Sequence, residues 1–306
     1  MSELFHEYYE KWVKVNKKGS IADITYQKYL HQLRILKLIA PKLKMSDINK
    51  YEYQKIINIY AETHQRQTII DFHHHIKASL IDAYSDGLVD RNPTIRIKIP
   101  EGTKRVATHE KFWDVEEYEK FLKFLYTKRD ICRDDFLLLL IAKTGMRFAE
   151  ALGLCPEDFY FERKRISINK TLNYKIKIWK FQPTKNFSSN REVLIDHQTS
   201  VIFKNFIENK AQGEPVFVSE GDRIYNSTVN NRLFNYCKQL DLKKISIHSL
   251  RHTYASVMLT SDVSVESIAK YLGHSDTTVT RKVYLHLTKE MASSDDKKME
   301  KVLSKF

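Results

Sequence analysis

Over most of this chain apolar residues return every three or four positions, the repeat of a helix, but between residues 165 and 196 the period falls to two. "RISINKTL", "YKIKIWKF" and "REVLID" each alternate apolar and polar side chains, and the turn-forming run "QPTKNFSSN" separates the second from the third. The fold class that follows is mainly α with a small antiparallel β-sheet (α+β). Ahead of the strands, helical spacing predicts four helices: in "ELFHEYYEKWVKV", in "TYQKYLHQLRILKLIA" before Pro41, in "SDINKYEYQKIINIYAE" with Ser46 as N-cap, and in "TIIDFHHHIKASLIDAYSDG", which Gly87 stops. "RNP" at 91–93 closes this helical domain, residues 1–93. Residues 94–111 mix Pro and Gly with four Lys or Arg between 96 and 105, which reads as a basic linker. A second domain, 112–306, opens with helices at about 114–127 and 133–144. It returns to helices after Asp196, with Gly273 ending one and Ser275 or Asp276 capping the next.

Charge narrows the function. Lys and Arg number 51 against 38 Asp and Glu, a formal net charge of +13 and a pI near 9.4, which predicts attraction to nucleic acid or an anionic membrane face. The excess is shared: residues 1–102 carry 16 basic and 12 acidic side chains, and residues 103–306 carry 35 and 26. No apolar run approaches the roughly 18 residues of a membrane span, and "MSELFHEYYEKW" lacks a secretory signal pattern, so a cytoplasmic protein is expected. Cys132, Cys155 and Cys237 are far apart with no CxxC, which argues against disulfides and cysteine zinc sites.

The stretch "ISIHSLRHTYAS" at 245–256 raises a choice between metal and phosphate. His248 and His252 share a helix face at the spacing of zinc hydrolases, but Ser249 stands where the general base should follow the first histidine. Arg251 would also put a cation beside a dication. Near a helix N-terminus, His248 and Arg251 instead add donors to backbone N–H groups that already attract anions, which favours phosphate. The run His73, His74, His75 points three ways on a helix and cannot chelate one ion, so it reads as a DNA-facing or solvated stripe.

Five motifs line up in order: "TGMRFAEALGL" from 144, "PTKNFSSNR" from 183, "HSLRH" from 248, "LGHS" from 272 and "TTVTRKVYLH" from 277. Together they resemble the tyrosine recombinase, or phage integrase, family, whose signature is two arginines, a lysine in a β turn, two histidines and a C-terminal tyrosine. Arg147, Lys185, His248, Arg251, His274 and Tyr284 fill those six positions. The resemblance implies that residues 1–93 are a helical core-binding DNA-binding domain and 112–306 a catalytic domain with a C-terminal tail helix. It also implies that DNA is cut and rejoined through a 3′-phosphotyrosyl intermediate.

That chemistry accounts for the residue types. Attack of a tyrosine hydroxyl on a phosphodiester raises negative charge on the phosphoryl oxygens, which fixed guanidiniums can meet with two-pronged hydrogen bonds. Arg147 and Arg251 take that role. By the resemblance, Lys185 donates a proton to the departing 5′ oxygen, His248 assists in proton transfer or in a phosphate hydrogen bond, His274 donates to the same phosphate, and Tyr284 is the nucleophile. No metal, ATP or other cofactor is needed, because the phosphotyrosyl bond stores the energy of the bond that was cut. Arg147 and Glu150 lie one turn apart and can form an ion pair, with Glu150 orienting the arginine. His252 reads as a structural or bracing residue, and the role of His286 is open.

The turn "PTKNFSSNREVLI" resembles integrases of phages and conjugative transposons of Gram-positive bacteria, whereas the length and the direct start at the core-binding domain resemble Xer-type recombinases that resolve chromosome dimers. A mobile-element integrase is the favoured reading and an Xer-like enzyme the alternative. Such integrases carry a further arm-binding domain, which was either removed here or never present. A non-catalytic DNA-binding protein and a type IB topoisomerase are the readings from other classes. The implied partners are double-stranded DNA at recombination core sites, three further copies of the chain in a tetramer on DNA, and an accessory directionality factor; a membrane is not among them. In the tail, Met299, Val302, Leu303 and Phe306 share a helical side, and its docking on a neighbouring protomer would build the tetramer.

Overall fold

The computed structural model describes residues 3–103, 112–174, 179–184, 186–219, 221–276, 278 and 304. The chain forms two compact units, Met1–Ala107 and Thr108–Phe306.

The first unit is built from α1 (Phe5–Asn16), α2 (Asp23–Ile39), α3 (Lys50–Ala61) and α4 (Arg66–Ser85). Each turns one apolar stripe inward. Phe5, Tyr9, Tyr53, Ile57, Ile69, Phe72 and Ile76 are wholly buried together, as helical spacing demands. The expected cap of the third helix moves. Ser46 lies in a single 3-10 turn and bonds to Asp47, whereas the Asn49 side chain accepts from the N–H groups of Tyr51 and Glu52 and starts α3. Gly87 does stop α4, with the Leu88 N–H reaching back to the Ala83 carbonyl. Beyond it, Ile97 and Ile99 still pack against this core. The histidine run divides: His74 is exposed, whereas His73 is buried, with Nδ1 3.0 Å from the Tyr53 hydroxyl, and half-buried His75 meets the edge of Tyr29.

The second unit is organised around α6 (Arg133–Thr144), in which Leu137 to Ala142 are six successive residues with no exposed surface. A helix apolar on every side must be surrounded. It is packed against by α5 (Val115–Thr127), α7 (Phe148–Leu152), α9 (Asn226–Gln239) and α10 (Ile247–Thr260). Asp135 anchors its first turn, wholly buried and bonded by Arg232, Lys128 and Tyr236. The remaining helices are α8 (His197–Ile207) and α11 (Val265–Leu272).

Strands lie between α7 and α8, and they form two sheets rather than one. β1 (Phe159–Tyr160), β2 (Arg165–Ile168) and β5 (Arg191–Leu194) make a three-stranded antiparallel sheet, while β3 (Lys170–Asn173) pairs with β4 (Lys180–Pro183). The run "RISINKTL" therefore splits at Asn169, whose side-chain amide donates to Asp158 instead of continuing one ladder. The two sheets direct β5 back toward α11, against which it packs. Among the described residues no helix is long and apolar enough to cross a membrane.

Candidate active site

Two glycine-ended helices set the site. The chain leaves α6 through Gly145 and α11 through Gly273, both left-handed with φ of 62° and 65°. A Cβ on Gly145 would lie 2.6 Å from the Tyr254 ring, so both conformation and space require glycine there. These ends leave carbonyls exposed that the helices cannot satisfy themselves.

Arginines satisfy them. Arg251, on the second turn of α10 and 3% exposed, donates from Nη1 to the Gly145 carbonyl at 2.8 Å and from Nη2 to the Leu272 carbonyl at 2.6 Å. Arg147 donates from Nη2 to the Gly273 carbonyl at 3.3 Å. Arg191, at the head of β5, donates from Nε to the Tyr271 carbonyl. Since the Ala269 and Lys270 carbonyls accept from the backbone of His274 and Gly273, the end of α11 is fully accounted for. Three guanidiniums thus gather at the negative pole of one helix, each from a different segment of the chain.

Glu150 joins two of them. It is 1% exposed, accepts from Arg147 Nη1 at 2.6 Å and from the Arg147 N–H at 2.8 Å, and takes Arg191 Nη2 at 2.9 Å. Burial alone would raise its pKa, but Arg191 and then Arg147 outweigh that and hold the carboxyl below its ordinary range. Glu150 is therefore ionised wherever DNA chemistry is run.

Two histidines share this positive field. Ser246 caps α10 by accepting from the Ser249 N–H, which places His248 in the first turn. Partial desolvation, then Arg251 and Arg147, lower its pKa. His274 follows Gly273 directly and is held at about 4 by burial, then by Arg251, Arg147, His252 and Arg191. These surroundings favour the neutral ring at both positions, which can accept a proton at one nitrogen and donate from the other. His252 lies edge-on to His248, with ring centres 5.0 Å apart.

Of the residues singled out from sequence, Arg147, Glu150, His248, Arg251 and His274 come together here. Lys185 and Tyr284, with His286 and nearly all of the tail from Asp295 onward, lie outside the described residues. Asp276 accepts from the Thr278 N–H, and the helix expected after it lies beyond the described residues too. Arg191, which closes the motif "PTKNFSSNR" and opens the alternating strand "REVLID", has no role assigned from sequence. Among the described residues no group of three or more His, Cys, Asp or Glu is placed to hold a metal ion.

Comparison with known proteins adds a context. The sequence model of the phage integrase family matches residues 111–291. The integrase of Staphylococcus phage L54a is 27% identical over 335 residues, covering 98% of this chain and 93% of that protein. The transposase from transposon Tn916 of Enterococcus faecalis is 25% identical over 281 residues, 85% of this chain and 67% of that protein. Among solved structures, the Tn1549 transposon integrase in complex with transposon right end DNA superposes with a TM-score of 0.79 at 18% identity, covering 98% of this chain and all of that one.

Proposed function

The chain belongs to the phage integrase family and is a site-specific tyrosine recombinase, and from that premise we propose which of its residues cut and rejoin the strand. Arg147 and Arg251 bind the scissile phosphate and offset the charge that builds on its oxygens. The Tyr284 hydroxyl attacks phosphorus, the bond to the 5′ oxygen breaks, and a 3′-phosphotyrosyl link remains. Neutral His248 takes the tyrosine proton or hydrogen-bonds the phosphate, Lys185 supplies a proton to the departing 5′ oxygen, and His274 donates to a phosphoryl oxygen. Rejoining reverses these steps with the 5′ hydroxyl of the partner strand. Two fixed arginines meet the charge that a metal would otherwise meet, so the reaction runs without metal or ATP.

The observation that carries this reading is the convergence of arginines from separate chain segments on the end of α11, next to two histidines whose surroundings favour the neutral ring. Phage and transposon relatives support integration and excision of a mobile element as the biological task. The partner is double-stranded DNA at core sites, bound by residues 1–93 as the core-binding domain and 112–306 as the catalytic domain, which 94–111 connect. Both units are basic, so binding weakens steeply with salt. Recombination proceeds in the cytoplasm, in a tetramer built by exchange of the tail at 295–306, with an accessory factor setting direction.

The test is a nicked duplex that traps the covalent adduct, run with a chelator. The unaltered chain should give an adduct stable to denaturation, and Tyr284→Phe should abolish it while leaving DNA binding intact. An adduct that persists in Tyr284→Phe would falsify the nucleophile.

A further inference from the structure

Arg191 is not one of the six residues to which the family pattern gives a task, yet it is more enclosed than the phosphate-binding Arg147. Its side chain is 5% exposed against 29% for Arg147. All three of its nitrogens are engaged: Nε with the Tyr271 carbonyl, Nη1 with the Ser189 carbonyl at 3.0 Å, and Nη2 with Glu150 Oε2 at 2.9 Å. With Nε and both Nη atoms each given to a protein acceptor, this guanidinium is committed to the fold.

What it touches is informative. Arg147 rests on the Glu150 carboxylate, the Gly273 carbonyl and, more weakly at 3.5 Å, the Ser189 hydroxyl. Arg191 grips the same carboxylate and, two residues earlier, the same helix end. The site is shaped around it, since a Cβ on Gly273 would come within 2.9 Å of Arg191 Nη1. We propose that Arg191 is a positioning residue for strand cleavage, locking Glu150 and the end of α11 in the one arrangement that presents Arg147 to the scissile phosphate.

Charge arithmetic gives this arrangement a second use. Glu150 and Arg147 alone would be a neutral pair, offering phosphate little more than a dipole. With Arg191 added, the two arginines and one carboxylate carry a net positive charge, and Arg147 is the most exposed of the three. Buried in a poorly screened interior, that net charge acts on phosphate more strongly than a surface charge would. Arg191 thus supplies the charge that Glu150 would otherwise cancel.

This inference rests on the reading of Arg147 as a phosphate ligand, and the experiment separates the two. Single-turnover cleavage is measured on a nicked duplex with an ordinary scissile phosphate, and on one with a methylphosphonate there, which has lost the negative charge. Arg147→Ala should be crippled on the first and much less impaired on the second. Arg191→Ala should slow the first by about 10–100-fold, in line with residues that orient a ligand from behind, with duplex binding unchanged. Its loss should shrink on the methylphosphonate in parallel with Arg147→Ala. Arg191→Lys, which keeps the charge and gives up the planar fork, should fall between, and it carries the test if the alanine variant does not fold. Equal losses on both substrates, or wild-type rates in the Arg191 variants beside a crippled Arg147→Ala, would overturn the assignment. Wild-type rates in Arg147→Ala would overturn the phosphate reading itself.

Discussion

Glu10 in the first unit and Glu150 in the second are each bridged by two cations, and they differ in almost everything else. Glu10 holds Lys14 and Lys37 at 2.8 Å each on the surface, its own side chain 28% exposed. Glu150 holds Arg147 at 2.6 Å and Arg191 at 2.9 Å with its side chain 2% exposed. The contrast extends to the units. Among the described residues, no Asp, Glu, Lys or Arg of the first unit is buried, while the second buries Asp135, Glu150, Asp158 and Arg251. On the proposed reading the first unit only has to attract a polyanion and can leave its charges in water, whereas the second must aim them, and so withdraws them from water and holds each by several hydrogen bonds.

Four changes test this difference. The largest effect is expected from Glu150→Gln, which leaves Arg147 and Arg191 facing each other without an anion. Breaking a buried ionic network typically costs about 3–5 kcal/mol, so calorimetry should show a marked fall in the stability of the second unit and no change in the first. Next comes Gly145→Ala. The added methyl meets the Tyr254 ring at 2.6 Å and the φ of 62° is unfavourable for alanine, so about 1–3 kcal/mol should be lost, with cleavage impaired because the Gly145 carbonyl holds Arg251.

Acid should then weaken both units, by different routes. His73, held at about 4 by burial and then by His74 and Lys77, and His274, also at about 4, both have pKa values below the ordinary 6.5. Each therefore contributes stability in full above pH 6.5, because the unfolded chain is then neutral too, and the contribution is lost as pH falls toward 4. Histidine titration by NMR should place both midpoints near 4; a midpoint near 6.5 for His274 would mean that the ring is neither buried nor set beside the arginines. The smallest effect belongs to Glu10→Gln, which should leave the melting curve almost unmoved, as exposed pairs contribute little. A large loss there would erase the distinction between the two carboxylates.

Much of this was legible in the sequence, and the failures share a cause. Helices with one apolar stripe announce themselves by spacing, and Gly87 and Gly273 mark their ends, because these signals are local. Arg147 and Glu150 could be paired on paper since one turn separates them. Ser46 and Asn49 are both good caps three residues apart, and composition does not choose between them. The division of "RISINKTL" into two sheets depends on Asp158 reaching Asn169 from another segment, and Arg191 owes its place to Tyr271 and Glu150, which its own neighbours do not reveal. His73 reads as solvated because His74 and His75 follow it, while its partner Tyr53 is 20 residues away.

The end of α11 also bears on how the protein is made. Arg147 meets Gly273 across 126 positions, Arg251 meets Gly145 across 106, and Arg191 meets Tyr271 across 80. A chain leaving the ribosome at about 5–20 residues per second makes Arg147 and Arg191 well before Tyr271 and Gly273, so this corner cannot be assembled until the end of α11 has been made. An unfinished or prematurely terminated product would then hold its arginines without the carbonyls that aim them. A strand-cutting enzyme would in this way lack its aimed arginines until the end of α11 has been made.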